Sequence, residues 1–190
     1  KVDDLGLREN TIVIFQSDHG HSTEERAHFG GGSAGPYRGA KFSLFEGGLR
    51  VPAMISWPGR IGEGEVREQL AVATDWLPTI AELCAAEILN EDIDGRSLTP
   101  ILASPSAPDN HEVFHWTNGN RWAVRQGAWK LLFDPYDTTN GPPKEPNPEE
   151  DKLFLVNLDE DIGEQNNVAA QHPEIVDALL ALHEEWMARK

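Results

Sequence analysis

The chain predicts an α/β portion that ends a mixed, largely parallel sheet, followed by a small α+β unit of four antiparallel strands under a closing helix. Three observations carry this. Two short continuous apolar runs, Thr11–Phe15 and Val51–Trp57, flank a glycine-rich loop, and such runs suit strands buried on both faces. Four short strand-like segments then follow beyond residue 112, two of their connections carrying the hairpin signals Asn118-Gly119 and Gln126-Gly127. Finally, the C-terminus repeats apolar residues at helical spacing behind a proline.

In chain order, Lys1–Leu7 reads as the last turn of a helix closed by Gly6. Thr11–Phe15 is the first strand. Ser17–Gly48 is a long loop with seven glycines between Gly30 and Gly48, and a loop of that length in a compact domain is functional or disordered. Val51–Trp57 is the second strand, stopped by Pro58-Gly59. Thr74 caps a helix over Asp75–Glu87, with Trp76, Ile80, Leu83 and Cys84 on one stripe. A shorter helix covers Ser97–Leu102. Ala103–Asn110 has linker composition, which places a domain boundary between residues 103 and 104. Strands follow at Val113–Thr117, Arg121–Gln126, Trp129–Phe133 and Leu153–Leu158. The Pro- and acid-rich stretch Asp134–Lys152 is expected to be exposed. The closing helix runs from Pro173 to about Met187, with Ile175, Leu179, Leu182 and Trp186 facing the sheet.

Composition excludes several classes. Of 190 residues, 39% are hydrophobic, enough for a core and against a disordered chain. Sixteen basic residues against 32 acidic ones leave a net charge of −16, which argues against nucleic acid or an anionic membrane as main partner. No apolar run reaches the length of a membrane span. The single cysteine, Cys84, excludes an internal disulfide framework and any multi-cysteine zinc site; its default place is a small core position. Residues 1–60 hold seven basic and seven acidic residues, so all of the excess charge lies beyond them and an anion site is expected in this neutral segment.

Two clusters carry chemistry. Ser17-Asp18-His19-Gly20-His21 follows the first strand directly, where open α/β sheets bind their ligands. Asp18 and His19 offer an oxygen and a nitrogen to a metal, against the alternative of an ordinary Asx turn. His21 and His28 extend a histidine-rich loop. A zinc site from His19, His21 and His28 is one option and exposed loop residues the more ordinary one. The second cluster is Gly39–Pro52. Here Lys41 is a compact charge suited to sulfate or phosphate oxygens, while Glu46 is expected to staple the loop by accepting loop N–H groups or pairing with Arg50. A softer group gathers His115, Trp116, Asn118, Arg121 and Trp122 around one hairpin, as sugar-stacking and anion-meeting residues or as plain packing between sheet and helix.

The order strand–SDHG–glycine-rich loop–KxxxxEGGxRVP–strand–WPG resembles the type I, formylglycine-dependent sulfatases of the alkaline phosphatase-like superfamily. TDWLPTIAEL (74–83), DGRSLTPIL (94–102), AVRQGAWKLL (123–132) and LFLVNLDEDIGEQNNVA (153–169) match later landmarks of that family in the same order. The resemblance implies a sulfuric ester hydrolase, with residues 1–103 as the end of its catalytic α/β domain and 104–190 as its C-terminal subdomain. It implies that Asp18 is a calcium ligand, that His19 is a ligand or near-ligand, and that Lys41 contacts the sulfate. His21, His28, His115 and Arg121 are the candidate substrate contacts. The family nucleophile is a formylglycine made in a CxPxR or SxPxR motif, and neither motif occurs here. The chain is therefore expected to carry part of a Ca²⁺ and sulfate site without the nucleophile, and to hydrolyse no sulfate ester alone.

The implied substrates are sulfated carbohydrates or aryl sulfates. Export to a periplasmic, extracellular or lysosomal compartment follows by resemblance, with no signal visible. Exposed sheet edges predict self-association. The alternatives are a phosphodiester or phosphonate monoester hydrolase of the same superfamily, or a non-catalytic acidic binding module.

Overall fold

A computed structural model describes residues 1–25, 28, 30–90, 92–140 and 152–189. Its elements are β1 (Val13–Gln16), α1 (Glu46–Leu49), β2 (Ala53–Ser56), α2 (Trp76–Leu83), α3 (Thr99–Ala103), β3 (Val113–Asn118), β4 (Arg121–Gln126), β5 (Trp129–Phe133), β6 (Leu153–Asn157) and α4 (Pro173–Ala188). Among the described residues no helix is long and apolar enough to cross a membrane. Packing divides the chain into two compact units that do not follow chain order: Lys1–Phe15 with Met54–Glu112, and Gln16–Ala53 with Val113–Lys190. The long loop folds with the C-terminal strands.

In the first unit, Gly6 sits at φ +67 while Leu5 N–H donates to Lys1 O and Leu7 N–H to Val2 O, the bonding pattern of a helix C-terminus. β1 and β2 form a two-stranded sheet. The expectation of strands buried on both faces is corrected here: Val13, Phe15 and Met54 are exposed, and among the described residues no further strand pairs with β1 or β2. α2 is shorter than the apolar spacing suggested. It starts at Trp76, and Asp75, fully buried, ties its start instead of Thr74: Oδ2 accepts Val72 N–H (2.9 Å), and Oδ1 accepts Arg96 N–H (2.9 Å) and faces His111 Nε2 (2.7 Å). It ends at Leu83 in a Schellman motif, with Ala85 at φ +51, Ala86 N–H bonded to Ala81 O and Ala85 N–H to Glu82 O. Cys84, just past that end, is exposed rather than in the core, and Ile80 is also exposed. Thr79 and Ala81 are the buried side chains of the helix.

The second unit has the predicted antiparallel sheet, in the order β3-β4-β5-β6. Each strand falls within a residue of its expected range. Alternation splits the sheet into two apolar faces. Val124, Leu131 and Leu155 pack with Val176 and Leu179 of α4. Ala123, Leu132 and Val156 pack with Leu44 and Phe45, which lead into α1. The face opposite the helix is therefore covered by the glycine-rich loop. The stripe of α4 is also shifted: Val176, Leu179 and His183 are buried, with Ile175 and Leu182 at its margin.

The start of the Pro- and acid-rich stretch is not simply exposed. Thr138 is buried and its Oγ1 accepts Ala40 N–H (2.9 Å). Thr139 Oγ1 accepts Gly39 N–H (2.8 Å), and Tyr136 O accepts the Ser43 hydroxyl (2.9 Å). These bonds consume backbone donors that a buried turn would otherwise leave unmet. Residues 141–151 of that stretch lie outside the described residues.

Candidate functional site

The site is built by three backbone runs packed closer than side chains allow. Ser17 N–H donates to Pro52 O (3.2 Å) and Gly20 N–H to Gly48 O (3.0 Å), which lays the SDHG turn along α1. A Cβ on Gly20 would fall on Gly47 O; one on Gly47 would meet Arg38 O at 2.6 Å, and one on Gly48 would meet Ala40 O at 2.6 Å. Glycine is required at these positions by proximity. The same contacts fix residues 17–20 and 39–43 relative to each other.

Asp18 projects its carboxylate into solvent, with Oδ2 2.8 Å from His19 Nε2. His19 Nδ1 lies 2.8 Å from Gly20 O. A carbonyl only accepts, so Nδ1 carries the proton that faces it. Nε2 and the Asp18 carboxylate thus stand side by side as one nitrogen and one oxygen at the surface. This is a donor pair that fits a cation. It falls short of the six to eight oxygens of a complete Ca²⁺ shell, and among the described residues no group of three or more His, Cys, Asp or Glu gathers. His19, His21 and His28 are therefore not brought together as a zinc set.

Lys41 reaches the same place. Its N–H donates to His21 O (2.9 Å), and its Nζ lies 5.1 Å from the centre of the Phe42 ring, whose centre is 6.3 Å from that of His19. Lys41 and His19 thus each lie beside the Phe42 ring, and Asp18 lies beside His19. His21 is half-buried beside them, and among the described residues its Nδ1 is buried without a hydrogen-bond partner. His28 is exposed, at φ +52 in a turn closed by its N–H on Glu25 O (2.8 Å).

The two C-terminal candidates are engaged elsewhere. His115 stacks on Trp186 of α4, 4.7 Å between ring centres and 5° between planes, which is sheet-to-helix packing. Arg121 donates from Nε to Asp134 O (3.0 Å), and its guanidinium lies 4.4 Å over the Tyr136 ring. Asn118 is the hairpin residue that does reach the loop: its Nδ2 donates to Phe42 O (3.0 Å).

Beneath the site lies a buried ionic cluster that the sequence did not disclose. Arg125 and Lys130 are direct cross-strand partners on β4 and β5, a like-charge pairing that costs stability unless it is neutralised. Glu46 neutralises it. Its Oε1 accepts Lys130 Nζ (2.8 Å) and its Oε2 faces Arg125 (3.2 Å). Glu164 Oε1 accepts the same ammonium (3.0 Å), and Oε2 accepts Glu46 N–H (2.5 Å). The expected partner Arg50 instead covers the Tyr37 ring at 4.8 Å. Burial works against the Glu46 carboxylate, but Lys130, Arg125 and Arg50 outweigh it and hold its pKa below the usual value. Burial pushes Glu164 up, and Lys130 and the Glu46 N–H only partly offset it. A Lys inside an apolar strand (WKLLF) was the available signal; its partners lie 84 and 34 positions away.

Known proteins match this chain in sequence and in fold. A sulfatase family model matches residues 1–86. The chain is 35% identical to arylsulfatase A of Bos taurus over 192 residues, covering 94% of this chain and 37% of that protein. It is 39% identical to steryl-sulfatase of Mus musculus over 141 residues, 70% of this chain and 23% of that one. Among solved structures, a 6S-sulf protein from a glycosaminoglycan-metabolising locus of Bacteroides thetaiotaomicron superposes with a TM-score of 0.74 at 28% identity, over 97% of this chain and 40% of that one. The chain thus spans about a quarter to two-fifths of the length of the relatives it matches. Carrying the SDHG turn, the EGG helix and the lysine loop in one packed arrangement, the chain is similar to sulfatases over nearly its whole length.

Proposed function

We propose that this chain is the C-terminal portion of a sulfuric ester hydrolase, supplying one carboxylate, one imidazole and one ammonium to a sulfate-binding centre. The observation that carries this reading is the placement of the Lys41 ammonium and the His19 ring beside Phe42, with the Asp18 carboxylate against His19. In this reading residues 1–103 close the catalytic α/β domain and 104–190 form its C-terminal subdomain. Asp18, with His19 beside it, holds a divalent cation of the Ca²⁺ type. Such an ion, when bound, neutralises charge on the sulfuryl oxygens. Lys41 does the same with its ammonium, which favours the oxygens more as charge accumulates during S–O cleavage. His21 and His28 line the approach, while His115 and Arg121 shape the hairpin behind it. The nucleophile, a formylglycine, comes from sequence outside this chain.

The substrate class is a sulfated carbohydrate or aryl sulfate. The fold neighbours include a complex with k-i-k-neocarrahexaose and one with D-glucosamine-2-N,6-O-disulfate, which supports the carbohydrate side. Export, and self-association through the open β1–β2 sheet, belong to the same reading. The test is hydrolysis of a chromogenic aryl sulfate, with excess Ca²⁺, by the polypeptide that joins this chain to a family nucleophile segment. Turnover there and none by the 190 residues alone is the expected result. Preferential cleavage of a phosphonate monoester would favour the phosphonate hydrolase alternative. A fold neighbour of that activity exists at a TM-score of 0.60 and 21% identity.

A further inference from the structure

We propose that Phe42 is a specificity-determining residue, presenting its ring to the cyclic alcohol portion of the sulfate ester while Lys41 meets the sulfate; the proposal rests on the sulfatase reading above. The argument starts from backbone strain. Phe42 sits at φ +74, a conformation natural to glycine and an outlier for a bulky residue. Strain of this kind persists where surroundings enforce it and it clusters at ligand sites. The surroundings do enforce it. Lys41 N–H is tied to His21 O (2.9 Å), Ser43 N–H to Ala40 O (3.0 Å), and Phe42 O to Asn118 Nδ2 (3.0 Å). A glycine would satisfy every one of those bonds without strain.

Packing does not explain the side chain either, since Phe42 is 42% exposed. Two of the other non-glycine residues at positive φ have visible reasons. Ala85 closes α2, and Glu164 bonds through both carboxylate oxygens inside the core. Phe42 is instead partly open to solvent, with the Lys41 ammonium over its ring at 5.1 Å and the His19 ring centre at 6.3 Å. An open ring next to an anion-binding cation matches a ligand with an anionic group on a flat apolar body. An aryl ring or the C–H face of a pyranose carrying a sulfate has that shape. Contact with such a body separates cyclic from small acyclic esters by the tenfold to two-hundredfold typical of an apolar subsite.

The experiment compares Phe42→Gly, Phe42→Tyr and the parent in the polypeptide that includes the nucleophile segment. Readouts are kcat/KM for an aryl sulfate, a pyranose 6-sulfate and methyl sulfate, with Tm for each protein. For Phe42→Gly, preference for at least one cyclic ester over methyl sulfate should fall roughly tenfold or more, chiefly through KM. Its Tm should not fall, and Phe42→Tyr should keep the preference. The arms with aryl and sugar esters identify which ring the site takes. Equal loss on all three esters would make Phe42 a positioning residue for Lys41 and overturn the proposal, as would unchanged ratios or a lowered Tm with normal selectivity. Failure of the parent to hydrolyse any of the three defeats the sulfatase reading itself, and this inference with it.

Discussion

Two charged clusters of the same compact unit, one beneath the glycine-rich loop and one above it, handle charge in opposite ways. Below, Glu46, Lys130, Glu164 and Arg125 are buried and mutually compensated, two carboxylates against two cations. Above, Asp18 faces only the His19 imidazole and its side chain is 80% exposed, while the Lys41 ammonium lies over an aromatic ring. Desolvated charges are held only when paired, so the lower cluster is committed to the fold. Charges left facing solvent contribute little to stability and remain available to a ligand. The two are joined mechanically: Glu46 opens α1, whose Gly47 and Gly48 carry the SDHG turn. The lower cluster therefore positions what the upper one uses.

The largest expected effect is on the lower cluster. Lys130→Met keeps the side-chain volume but leaves Glu46 and Glu164 buried with reduced compensation, and should cost about 3–5 kcal/mol in denaturant unfolding. A loss below ~1 kcal/mol would break the contrast between the clusters. Next is the joint between them. Gly20→Ala places a methyl group on Gly47 O, and should cost about 1–3 kcal/mol by overpacking. The loss is expected to show also as faster amide exchange at Gly20, whose N–H is held by Gly48 O.

A smaller effect separates the two carboxylates by pH. The pKa of Glu46 is lowered in the fold, so its contribution is present above its unfolded value and lost as pH falls through the folded one. The pKa of Glu164 is raised, so its contribution is present below the unfolded value and lost as pH rises through the folded one. The cost of Glu46→Gln should therefore grow from acid to neutral pH, and that of Glu164→Gln should shrink. Parallel slopes in paired urea titrations across the carboxylate range would contradict this assignment. The smallest stability effect belongs to Lys41→Ala, within about 0.5 kcal/mol, as for a surface side chain without buried partners.

What the sequence disclosed follows the range of the interactions. Strands β3–β6 were legible because local alternation and the Asn118-Gly119 and Gln126-Gly127 turns define them. The SDHG and lysine motifs were legible by resemblance, and the structure brings both to one aromatic ring. Burial of β1 was misjudged, since an apolar run reports a preference for cover and not the presence of a covering layer. Glu46 was matched with Arg50, four positions away, whereas its bonded partners are 79 and 84 positions away. Nothing local marks Glu164 or Thr138 as supports of the site. Cys84 was read into the core because its spacing continues a helix that the Ala85 turn had already ended.

The central claim is that Lys41 is placed for chemistry and not for folding. Its most direct test is the steady-state hydrolysis of an aryl sulfate, Ca²⁺ in excess, by the nucleophile-bearing polypeptide and its Lys41→Ala variant, with Tm measured on the same samples. Loss of an electrostatic contact to the sulfuryl oxygens should lower kcat by about 10²–10³ at unchanged Tm. Equal turnover in the two proteins, or a loss that merely tracks a fall in Tm, would contradict the account.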